Sequence, residues 1–173
     1  MNLEQFWNWI EEINHHQFPD DEHKIDFMMI SLTKLPPSDI VDFNRILDQL
    51  IAKTFMADFW NIAIAVYCEC SFNAFQAVCA WLIFQGKKNY ENAIKDPRSI
   101  LRIIPKDTDI RNEDYQFFAL AAYEMVMDDE EMPLEDKTIK EIDGGIAMSY
   151  EEARAMFPEF AEYFRECTRD MYI

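Results

Sequence analysis

Glycine is nearly missing from this chain: Gly86, Gly144 and Gly145 are the only three among 173 residues. A loop that cradles phosphate needs closely spaced glycines, so that backbone amides can approach the ligand. Neither G-x-G-x-x-G nor G-x-x-x-x-G-K can be written from those positions, which excludes nucleotide binding by these routes. Base is scarce as well, with 16 Lys and Arg against 33 Asp and Glu and a net charge of −17. Affinity for nucleic acid comes largely from Lys and Arg releasing phosphate counterions, so neither DNA nor RNA is an expected partner. An anionic membrane surface is disfavoured by the same sign of charge. The longest apolar run, Ile62 to Cys68, is far short of the roughly 20 residues of a membrane span. The opening M-N-L-E-Q-F-W-N-W carries acid early and shows no basic region or small-residue cleavage site, so no secretory or transit segment is expected. These absences predict a soluble cytoplasmic protein.

Metal-binding and nucleophilic residues are sparse too. The histidines are His15, His16 and His23, and Glu12 with His15 forms a single E-x-x-H. A helical-bundle di-iron site needs a second such pair and two further inward Glu residues, and no second copy exists. No metal site and no cofactor are assigned. Cys68, Cys70, Cys79 and Cys167 contain no C-x-x-C spacing, and three of them sit in apolar segments. Reduced, buried thiols are therefore expected rather than a disulfide framework. Cys68 and Cys70 would lie about 200° apart on a helix and cannot share a ligand there. A nucleophilic Cys70 would need a base, and the imidazoles come only from the first two helices. The carboxylates are too numerous for one pair to stand out as an acid/base couple. No catalytic residue is assigned.

What the chain does have is apolar and aromatic material, 50% and 14% of its residues, enough for a real core in one domain. The periodicity is helical throughout. Asn2 can cap a helix with Leu3, Phe6, Trp7, Ile10 and Ile13 on one face. Asp20 can cap a second, with Ile25, Met28, Met29 and Leu32 apolar and Pro36-Pro37 as its stop. Ser38 is expected to begin a third, carrying Ile40, Phe43, Leu47, Leu50, Ile51 and Phe55. From Asp58 to Cys68 the chain is apolar nearly all round, as in a buried helix or a buried strand, and its alanines and length favour helix. Ser71 to Gln85 reads as the next helix, with Gly86 expected as a left-handed C-terminal cap. Lys87 to Lys95 makes a shorter helix closed by Asp96-Pro97.

Asn112 is the expected cap of a long helix with Tyr115, Phe118, Ala119, Ala122, Tyr123 and Val126. Residues 128–148 read as an acidic loop. Ser149-Tyr150-Glu151-Glu152 matches a capping box and opens a C-terminal helical region over 149–170, in which Pro158 starts or kinks the last helix. No hairpin signal and no long-period repeat occurs. The expectation is an all-α fold, a single compact domain over 1–173 of about eight helices packed like an orthogonal bundle.

Charge is unevenly placed. Residues 107–136 hold eleven acidic residues against Arg111 alone, a local charge of −10. Residues 87–106 carry the reverse bias, a net of +4. Lys88 and Lys95, seven apart, share a helical face, and Arg98 and Arg102 would share one if that stretch is α-helical. In one reading the basic strip lies against the acidic helix inside the domain. In the other, Lys88, Lys95, Arg98 and Arg102 take a small anion, or the run Asp128, Asp129, Glu130 and Glu131 recruits a basic partner protein. That run ends a helix with acid, which the macrodipole disfavours. Trp7, Trp60 and Trp81 are expected in the core, while Trp9 falls off the best apolar face and points to an interface.

Several segments occur in a recognisable order: F-W-x-x-I near the start, L-P-P-S-D-I-V-D-F at 35–43 and D-F-W-N-I-A at 58–63. C-S-x-x-x-F at 70–75, W-L-I-x-x-G at 81–86 and Y-E-N-A-I-K-D-P at 90–97 follow. Together they resemble domain-of-unknown-function family 4240 over roughly residues 2–130, with F-P-E-F at 157–160 as a weaker tail. The resemblance implies a bacterial, intracellular, mainly helical domain with no established reaction. Relatives carry acid after the C-S pair and an Arg two positions before the tryptophan. Here those places hold Phe72, Asn73 and Cys79, so no site residue is carried over.

The function expected is a non-catalytic interaction module whose acidic surface meets a basic protein. Its narrower version is an immunity- or antitoxin-like protein that neutralises a basic toxin. The competing reading is a small enzyme with a polar pocket near Glu69, Ser71 and Tyr90. The sequence leaves the oligomeric state open.

Overall fold

A computed structural model of the chain describes residues 1–67, 70–105, 109–133 and 148–163, with residues 161–163 described by backbone alone. Among the described residues there are eight α-helices: α1 (Leu3–Asn14), α2 (Asp21–Leu32), α3 (Pro37–Lys53), α4 (Ala57–Tyr67), α5 (Phe72–Ile83), α6 (Lys87–Lys95), α7 (Asp114–Val126) and α8 (Tyr150–Met156). Two 3-10 segments, Pro97–Arg102 and Pro158–Tyr163, complete the order, and no strand occurs among the described residues. The fold is all-α.

Local chemistry accounts for most of the boundaries. Asn2 and Gln5 form a reciprocal capping box on α1, and Ser149 with Glu152 does the same on α8. Asp20 accepts the His23 amide at the start of α2, and Ser71 accepts the Ala74 amide at the start of α5. Three boundaries differ from the sequence reading. Helix α3 begins at Pro37 rather than Ser38, because proline fits the first helical position, where its missing N–H costs nothing. Asn112 stands just outside α7, yet its side chain still accepts the Asp114 amide at 3.0 Å. Gly86 does not cap α5: Phe84 holds that place, and Gly86 is the N-cap of α6 with φ 96°.

One apolar cluster runs through all eight helices. Helix α3 packs on α1, α5 and α7, and α7 also covers α2 and α5. Phe43 of α3 sits at the middle of this group, its ring 4.7 Å from Phe6, 5.0 Å from Trp9 and 5.7 Å from Phe118. Helix α5 links the group to a second one, in which α4 is covered by α8 and both 3-10 segments. Helix α4 is apolar nearly all round because most of it is enclosed, with Phe59 and Asn61 through Tyr67 all buried. No single helix among the described residues is long and apolar enough to cross a membrane; α4 and α5 would be so only together, and they are bent by 104° at their break.

Candidate functional site

The acidic run is divided by the helix it belongs to. Glu113 and Asp114 stand exposed at the N-terminal end of α7, where the macrodipole favours anions. Glu124, Asp128, Asp129, Glu130 and Glu131 are exposed at the other end. With 13 residues in α7, the two groups lie about 20 Å apart at 1.5 Å per residue. Asp109 belongs to neither, being held by the Arg111 guanidinium at 2.7 Å. Asp107, Glu135 and Asp136 lie outside the described residues, as does most of the predicted acidic loop.

The C-terminal group has a defined backbone. Met127 donates to the Tyr123 carbonyl at 2.9 Å and Asp129 to the Glu124 carbonyl at 3.0 Å. The first is the last ordinary helical bond, and the second is the six-residue closure that ends a helix when the chain turns left-handed. Asp128 and Asp129 make that turn, with φ 56° and 67°, where glycine is the usual occupant. Among the described residues no cation contacts Asp128, Asp129, Glu130 or Glu131. Met125, 62% exposed, stands one residue from Glu124. The result is a cluster of solvated carboxylates beside an exposed thioether side chain.

The basic residues do not form one strip. Lys88 and Lys95 are exposed on α6. Arg98 and Arg102 lie in a 3-10 segment, where three residues make a turn and positions four apart point roughly 120° away from each other. Arg98 is also engaged: its guanidinium pairs with Glu159, donates to the Met156 carbonyl at 3.3 Å and covers the Phe157 ring at 4.8 Å. It fastens the C-terminal segment rather than facing α7.

The residues named for an enzyme pocket have structural tasks. Ser71 caps α5. The Tyr90 hydroxyl donates to the Leu50 carbonyl at 3.0 Å, and burial raises its pKa. Glu69 lies outside the described residues. Burial pushes the Cys70 thiol up to about 11 and the Cys79 thiol to about 12, so neither is a thiolate near neutrality. His15 is the C-cap of α1, His16 packs between Phe18 and Phe27, and exposed His23 lies 2.7 Å from Asp20, whose carboxylate raises its pKa. Among the described residues no three His, Cys, Asp or Glu side chains gather as metal ligands would.

Two places were invisible in the sequence. The first is a polar junction where α1, α2, α5, α6 and α7 meet. The Phe84 carbonyl at the end of α5 accepts from Lys24 at 3.0 Å and from Asn14 at 3.2 Å. Glu11 accepts the Lys87 amide at the start of α6 at 3.0 Å, and Tyr115 donates to Asp21 at 2.8 Å. A cation at a helix C-terminus and a carboxylate at an N-terminus both suit the macrodipole, so this junction is explained by packing.

The second is a cleft of about 310 Å³ lined by Met1, Gln5, Asn8, Trp9, Glu12, Leu35 and Asp39. Trp9, half-buried as expected, is its one aromatic wall. Trp60 is less buried than expected, and its indole N–H is enclosed without an acceptor.

The family described as "Protein of unknown function (DUF4240)" matches residues 1–125, which take in α1 through all but the last residue of α7. No curated protein matches the chain, and no solved structure does. The segments W-L-I-F-Q-G and Y-E-N-A-I-K-D-P fall at the end of α5 and along α6, and hence in the polar junction and the core around Tyr90.

Proposed function

The chain belongs to the family of proteins of unknown function DUF4240, and on that footing we propose that it is a non-catalytic interaction module that docks a basic cytoplasmic protein on the C-terminal end of α7. The observation that carries this reading is the run Asp128–Glu131, exposed and without a cation against it among the described residues. Its charges oppose the helix dipole, and its two aspartates occupy a conformation that favours glycine. The arrangement costs stability where it stands, and a partner's Lys and Arg residues would offset that cost. Exposed Met125 supplies apolar area beside the charge. A small acidic protein that masks a basic toxin, as an immunity protein or antitoxin does, is the narrower form of this reading.

The test is a comparison of two proteins. The wild type and the variant Asp128→Asn, Asp129→Asn, Glu130→Gln, Glu131→Gln are used to capture proteins from cytoplasm at low and high salt. The melting temperature of the variant is expected to equal or slightly exceed that of the wild type, since solvated carboxylates contribute little to stability and these oppose the helix dipole. A basic protein held by the wild type at low salt, released at high salt and not held by the variant supports docking here. Equal capture by both proteins, or a large loss of stability in the variant, removes this end of α7 from the account.

A further inference from the structure

Gln5, Asn8, Trp9 and Glu12 are spaced three, four and seven residues apart, so they form one stripe along α1. Met1, Leu35 in the turn after α2, and Asp39 in the first turn of α3 complete the cleft that this stripe lines. The indole of Trp9 stands nearly perpendicular to Phe43, at 73° and 5.0 Å between centroids, and this edge contact leaves one indole face uncovered by Phe43. Asp39 is already engaged, since the Met1 ammonium lies 2.5 Å from both Asp39 and Asp42. Glu12 is different: it is exposed and has no ion-pair partner among the described residues. Leu35 adds a half-buried apolar wall.

We propose that this cleft is a binding site for a basic side chain, arginine or lysine, with the Trp9 indole as its stacking face and Glu12 as its counter-ion. The Met1 ammonium in the lining is neutralised by Asp39 and Asp42, and the remaining groups match a basic side chain. A cation is attracted to the negative face of an indole, more strongly for Trp than for other rings. A carboxylate takes a guanidinium through two N–H groups, or an ammonium through one, in a charge-assisted hydrogen bond. The methylene stem of either side chain suits the Leu35 wall, and the Asn8 amide can accept an N–H group that Glu12 leaves over, the Gln5 amide oxygen being already engaged by the Asn2 N–H. A volume of about 310 Å³ admits one such side chain. The Phe43 ring of α3 lies between Trp9 and Phe118 of α7, so this site is separate from the acidic end of α7 and stands without the docking reading.

The experiment is a titration of the purified full chain with N-acetyl-arginine methylamide, with its lysine counterpart, and with the neutral citrulline counterpart. Binding is followed at the Trp9 indole N–H resonance, assigned through the Trp9→Phe variant. A saturable shift with a cationic probe and none with citrulline is expected. Glu12→Gln, an exposed change that leaves the melting temperature in place, is expected to weaken binding about tenfold, the usual weight of a charge-assisted hydrogen bond. The four-residue α7 variant is expected to bind these probes as the wild type does, which keeps the two sites distinguishable. An equal shift with citrulline, no shift at Trp9 with either cation, or undiminished binding by Glu12→Gln would overturn the proposal.

Discussion

At the scale of single residues, Gly86 carries the sharpest steric demand. Its φ of 96° and ψ of 159° fall where side chains are rarely accepted. An added Cβ would stand 3.0 Å from the Glu11 oxygen that takes the Lys87 amide. Gly86→Ala is expected to cost about 1–3 kcal/mol, read as a lower urea midpoint at unchanged slope; wild-type stability would mean that the junction rearranges freely. Buried acids give a second expectation. Burial pushes Cys79 up to about 12 and also raises Tyr90 and Tyr115, the latter aided by the Asp21 carboxylate. In the unfolded chain the thiol ionises from about pH 9 and the phenols from about pH 10. Above those values the unfolded state has lost protons that the folded state keeps, so stability falls as pH rises, by about 1.4 kcal/mol per unit for each such group. The Cys70 thiol, pushed up to about 11, acts in the same direction, while Lys24 works the other way, because burial lowers its pKa and its folded form releases a proton first. Urea midpoints measured from pH 8 to 11 should therefore decline, and a flat profile would place the phenols in water.

At the scale of elements, the stop of α7 shows how a helix end and a charged site share the same residues. Glycine at position 128 would relieve the left-handed turn and remove one charge from the dipole's negative end. Asp128→Gly is expected to stabilise by about 1 kcal/mol, which for a domain of this size raises the melting temperature by roughly 2–4 °C. A drop instead would show that the carboxylate supports the fold. The caps at Asn2, Asp20, Ser71 and Ser149 could be read from the sequence because a cap acts over three residues. Arg98 and Arg102 could not be placed, since the choice between 3.0 and 3.6 residues per turn depends on what the segment packs against.

At the scale of the whole molecule, the family match and the fold end at different places. The match stops at residue 125, yet α8 and the 3-10 segment after it pack on α4, with Ala153, Phe157 and Phe160 no more than 1% exposed. Asn61 of α4, itself buried, accepts the Met148 amide at 3.0 Å. A chain ending at Pro133 would uncover that face and lose the Arg98–Glu159 pair. It is expected to be less stable by roughly 3–6 kcal/mol, the burial of two phenylalanines, in chemical denaturation followed by circular dichroism. Equal stability would mean that α4 is satisfied by the first 133 residues.

The sequence by itself determined that the chain is helical, where most helices start and stop, and to which family it belongs. Those properties follow from period, caps and prolines, which act within a few residues. Only the tertiary structure decided which apolar residues are covered, leaving Leu3 48% exposed on the face expected to be buried. It also divided the acidic run between two ends of α7, turned Arg98 toward Glu159, and set Trp9 and Glu12 beside Leu35 and Asp39 in one cleft. Each of these depends on contacts between segments distant in the chain, and such contacts follow from how helices pack rather than from the local pattern that forms them.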